Sequence, residues 1–104
     1  MARLNITRLC REPSAQQIEH WIRRAKPGQY LQYHEGLLCD DRIPRPFDSP
    51  NQTSNAERVN GIADMLWLAC ELEVVRLFSV RLDEGFYRYL AQRTYQPVRK
   101  EKLA

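Results

Sequence analysis

Apolar residues recur along this chain with two different periods, and the switch between them divides it into elements. Ile18, Trp21, Ile22 and Ala25 return at helical spacing and predict a helix from about Ser14 to Ala25. Ser14 with Gln17 three residues on has the form of a capping box, and Pro27-Gly28 ends the helix. The next segment, Gln29 to Cys39, places Tyr30, Leu31 and Tyr33 among polar neighbours and reads as a strand. Gly36 within it marks a bulge or a close backbone approach. Pro44, Pro46 and Pro50 make the stretch from Asp41 to Asn51 a loop.

Helical spacing then returns for the longest element. Val59, Ile62, Ala63, Leu66, Ala69 and Cys70 form a stripe that Met65, Leu68 and Leu72 widen, which predicts a central helix capped near Thr53, Ser54 or Asn55 and ending near Glu73. Its opposite face carries Asn60, Asp64, Trp67 and Glu71, and Trp67 there calls for a cover from the chain or from a partner. After it the period becomes two. Val74 to Leu82, the turn Asp83-Glu84-Gly85 and Phe86 to Thr94 predict a hairpin. The expected fold class is α+β, with two main helices on a three-stranded antiparallel sheet formed by the Gln29–Cys39 segment and the hairpin. Ile18, Trp21, Ile22, Leu31, Ile62, Leu66, Ala69, Phe78, Val80 and Leu90 are expected to line its core.

The length of 104 residues fits a single domain: an N-terminal arm to residue 13, a core over 14–95 and a charged tail from 96. The run Ile62 to Cys70 is too short to span a bilayer, and no apolar stretch near Met1 has the length of a signal peptide. Cys10, Cys39 and Cys70 are odd in number and widely spaced, unlike a disulfide scaffold, so a cytoplasmic location is expected. The net charge of +3 matters less than its order. A basic start with Arg23, Arg24 and Lys26 gives way to an acidic middle, and Arg81, Arg88 and Arg93 make the end basic again. Such a chain can fold with one positive side, which phosphate backbones bind by counterion release.

Catalytic and metal chemistry find little purchase. His20, His34 and the three cysteines lack the two-to-four-residue ligand spacing that starts a structural zinc site. No glycine-flanked elbow surrounds Cys39 or His34, and the four glycines form no phosphate-cradling loop. The turn acids Asp40-Asp41 and Asp83-Glu84 read as solvated caps. The expectation is a protein without catalytic residues, metal or organic cofactor.

The order helix, strand, second helix and C-terminal hairpin resembles a winged helix, with Phe78-Ser79-Val80-Arg81-Leu82-Asp83-Glu84-Gly85-Phe86-Tyr87-Arg88-Tyr89 as its wing. The run Pro27-Gly28-Gln29-Tyr30-Leu31-Gln32-Tyr33-His34-Glu35-Gly36-Leu37-Leu38, with that wing, is similar to small proteins encoded by bacteriophages and prophages. Where a winged helix has a further helix before its recognition helix, the loop from Asp41 to Gln52 has room for a short turn at most. The resemblance implies a small double-stranded-DNA-binding, transcription-regulator-like protein. Arg81, Arg88 and Arg93 with Arg23, Arg24 and Lys26 would then contact phosphates, while Asn55 and Arg58 would meet base edges. The other reading is a protein-binding module, such as a phage-encoded inhibitor of a host protein, docking through Asp64, Trp67 and Glu71.

Overall fold

The computed structural model describes residues 6–10 and 12–98. Its elements run β1 (Ile6–Thr7), α1 (Ala15–Arg24), β2 (Tyr30–Gly36), α2 (Leu38–Asp41), α3 (Pro50–Glu71), β3 (Val75–Asp83) and β4 (Phe86–Arg93). The four strands make one mixed sheet in the order β1-β2-β4-β3. β2 pairs antiparallel with β4, and β4 with β3. The expected three-stranded sheet is nevertheless incomplete. Part of the N-terminal arm adds a short parallel strand, with Ile6 beside Tyr30 and Thr7 beside Leu31. Residues 1–5 and 11 of the arm and 99–104 of the charged tail lie outside the described residues.

Both long helices begin with the same device. Ser14 Oγ accepts from Gln17 N while Gln17 Oε1 accepts from Ser14 N, and Ser49 and Gln52 repeat the arrangement at the start of α3. Pro50 occupies the first turn of α3, where a missing N–H costs nothing. The helix therefore starts several residues before the expected cap at Thr53 to Asn55. It ends in a Schellman turn: Glu73 N donates to Cys70 O and Val74 N to Ala69 O, with Glu73 in the left-handed region at φ 65°.

The β2 segment stops at Gly36 rather than Cys39. Gly36 has φ 134°, and a Cβ there would collide with the Asp41 carboxylate. Asp41 Oδ2 accepts from Leu37 N, which fastens the one-turn helix α2 directly to the strand end. The expected bulge lies a little earlier, between Gln32 and His34.

The helices cover one face of the sheet. Ile18, Trp21 and Ile22 of α1 meet Ile62, Leu66 and Ala69 of α3 over Leu31, Tyr33, Val75 and Ala91. Cross-strand partners share a face, so Tyr30, Gln32, Leu90, Phe78 and Val80 belong to the other, open face. Leu90 is buried there because β4 is flanked on both sides, whereas Phe78 and Val80 of edge strand β3 are 42% and 46% exposed. The expectation that these two line the core is thus corrected. They alternate with Leu77, and only one parity of a strand faces the helices.

Candidate nucleic-acid interface

The hairpin carries the first candidate cations. Its turn is closed by Asp83 Oδ1 accepting from Glu84 N, with Gly85 at φ 68°. Strand alternation separates the two wing arginines. Arg81 stands opposite Tyr87 on the helix-bearing side and is exposed, without an ion pair among the described residues. Arg88 stands opposite Val80 on the open side, half-buried, with Nη2 3.7 Å from Glu35 Oε1. Its Nε is buried and, among the described residues, without a hydrogen-bond partner. Arg81 is the wing cation that a ligand on the helix side would meet.

The first half of α3 lies at the same end of the molecule as the hairpin turn. A polar cleft of about 660 Å³ brings its Asn55 and Arg58 beside His34, Glu35 and Asp41, at the end of β2 that pairs with the tip-side half of β4. Asn51, Ser54 and Asn55 are exposed on these turns. Arg58 is largely engaged inside the protein: Nη1 donates to Pro13 O at 2.8 Å and Nη2 to Asn55 Oδ1 at 2.8 Å. It holds Asn55 in place and ties the segment before α1 to α3. Freedom to read a base edge is correspondingly small.

The remaining cations expected to contact phosphates do not join this surface. Arg23 pairs with Glu19 at 3.1 Å on the same helix. Arg24 and Lys26 are exposed, but they sit near the base of the hairpin, where Gly28 N donates to Arg93 O. The eight residues of β4 separate that end from the turn by about 25 Å. Arg93 is not a surface contact at all. It is 8% exposed, and its guanidinium donates to the carbonyls of Ile22, Val74, Thr94 and Gln96. Burial lowers its pKa from the ordinary arginine value. Its expected phosphate contact is corrected to a structural role.

Two arrangements escape sequence reasoning. Arg42 reaches from the turn after α2 to Asn60 Oδ1 at 2.7 Å and to the Asp64 carboxylate, neutralising part of the acidic face of α3. His34 Nε2 lies 2.7 Å from Asp41 Oδ2 in the cleft. No spacing signal marks either pair, since each depends on how β2 hands the chain to α2. Cys10 lines the same cleft but donates to Gln17 Oε1 at 3.6 Å, so no thiol–imidazole pair forms with His34. Cys10 and Cys39 are exposed rather than packed as small core residues, and Cys39 stands on α2 instead of on a strand. Among the described residues no group of three His, Cys, Asp or Glu is placed to hold a metal ion.

On the outer side of α3, Trp67 is 63% exposed and Nε1 donates to Glu71 Oε1 at 2.8 Å. Asp64 and Glu71 flank it, and no part of the described chain covers the ring. No described helix is long and apolar enough to cross a membrane. Comparison with protein-family models, curated proteins and solved structures yields no match.

Proposed function

We propose that this chain is a small duplex-DNA-binding protein of winged-helix arrangement, meeting DNA with the hairpin and the first turns of α3. The observation that carries the reading is the chain order α1-β2-α2-α3-β3-β4 combined with the antiparallel order β2-β4-β3. In that arrangement α2 takes the place of the middle helix, shortened to one turn. Arg81 on the helix-bearing side would lie along a phosphate backbone, and the exposed Asn51, Ser54 and Asn55 would approach base edges. Glu57, Asp64 and Glu71 repel phosphates further along α3, which confines contact to its first turns.

Duplex retention measured against salt tests this. Wild type is expected to hold random duplex in dilute salt and to lose it steeply as salt rises. Arg81→Ala should lower the salt slope by about one counterion, whereas Arg88→Ala, on the opposite face, should leave it unchanged. Asn55→Ala should alter preference between sequences rather than the slope. Failure to retain duplex even in dilute salt would remove the proposal.

The exposure of Trp67 favours a second reading, a module that captures a protein through Trp67, Asp64 and Glu71. In that case Trp67→Ala abolishes capture with the fold intact, and Arg81→Ala has no effect.

A further inference from the structure

Strand β3 is an edge. It pairs only with β4, so among the described residues its outer backbone groups have no strand beside them. Edge strands of soluble domains are commonly blunted by proline, shortness, charge, a bulge or a cover, because a free edge invites another strand, and in β3 the bulge falls only at its tip end. β3 has nine residues and no proline, and its open-face side chains Phe78 and Val80 are apolar and nearly half exposed. Leu82, at the bulge before the turn, adds a third exposed apolar side chain at 42%. The apolar stripe and the free edge coincide along one strand.

We infer that the occupant of this edge is a second copy of the same chain, paired antiparallel through β3 about a two-fold axis at Val80. The strand's own sequence selects that register. An axis at Val80 sets Val80 against itself and turns Phe78 of each copy toward the bulged end of the other strand, where Leu82 lies exposed. It also brings Arg76 of each copy to the acidic turn Asp83-Glu84 of the other. Arg76 is exposed on the open face, with no ion pair among the described residues to compete for it. Moving the axis to Arg81 would place two arginines against each other, and moving it to Ser79 would set Arg76 against Leu82. Of these three registers, the one at Val80 brings apolar side chains together and Arg76 near the acidic turn. The result is one continuous eight-stranded sheet, twice the four strands of one copy. Phe78 and Val80 occupy the open face and Arg81 the helix-bearing face of the same strand, so the inference does not depend on DNA binding.

Sedimentation equilibrium of the full chain over a concentration series tests it. Wild type is expected to rise from the mass of one chain to that of two. Val80→Lys places two ammonium groups face to face and is expected to stay at one mass, with an unchanged far-ultraviolet spectrum because the position is exposed. Arg76→Glu should weaken association about tenfold, and Arg76→Glu with Glu84→Arg should recover it. A single-chain mass for wild type at every concentration would overturn the inference. So would association that survives Val80→Lys, that the charge exchange fails to restore, or that is lost instead in Trp67→Ala.

Discussion

Arg93 shows how much one side chain can hold. Its carbonyl partners belong to the last turn of α1, to the turn between α3 and β3 and to the chain just after β4, so one cation joins three segments distant in sequence. Ile22 O is among the carbonyls that a helix end leaves without an internal partner, and a cation is well placed there. Removing the guanidinium leaves Ile22 O without this donor at the helix end, whereas Val74 O still accepts from Thr94 N and Oγ1. Arg93→Ala is expected to cost roughly 1–3 kcal/mol in urea unfolding, the range for leaving buried acceptors without a donor. Lysine, with a point charge instead of a fork, should recover only part of it.

Tyr33 supplies a pH test at the same scale. It is buried on the helix-bearing face, and burial, with smaller contributions from Tyr89 and Cys70, raises its pKa from 10.0 to about 12. The folded state therefore keeps a proton that the unfolded chain releases once the pH passes 10.0. Stability linked to this group is complete below 10.0 and is lost as the pH climbs toward about 12. Denaturant unfolding should show a decline approaching 1.4 kcal/mol per pH unit, about the value of one proton, within that window. Tyr33→Phe should flatten that part of the decline.

At the scale of elements, α3 organises the domain. Its stripe of Val59, Ile62, Leu66 and Ala69 is buried, and Leu66 is fully enclosed between α1 and the sheet. Leu66→Ala is expected to cost roughly 2–5 kcal/mol by calorimetry or denaturant, since packed neighbours cannot fill the space. The stripe was readable because it repeats over many turns. The start of the helix was equally marked, by the same Ser-x-x-Gln spacing at Ser49 that identifies α1 at Ser14. Pro50 concealed it: proline breaks a helix in its middle but suits its first turn, and the choice depends on where the cap falls. The hairpin was legible from alternation. Which of its two faces would be buried was not, because both parities carry apolar residues, Val75 and Leu77 on one and Phe78 and Val80 on the other, and alternation does not say on which side the helices pack.

At the scale of the molecule, the candidate cations gathered from sequence divide by position. Arg81 stands at the turn end on the helix-bearing side, Arg88 on the other face, Arg24 and Lys26 at the far end, and Arg93 in the interior. A surface assembled by counting charges along the chain is therefore smaller than the count implies. The duplex experiment is sharpest for the Arg81 and Arg88 pair, since they lie close on one hairpin and differ chiefly in the face they occupy.

The sequence by itself determined what short-range periodicity and turn chemistry encode: both long helices, three strands, the hairpin turn and most of the core stripe. Those signals act within one or two turns, where neighbouring residues alone decide whether an apolar side or a cap can form. The tertiary structure decided what depends on meetings between distant segments. It set β1 against β2, left Phe78 and Val80 exposed, turned Arg93 inward and brought Arg42 to Asp64 and His34 to Asp41. Whether an arginine serves a ligand or a carbonyl depends on which groups packing places beside it, and spacing along a chain carries no record of that.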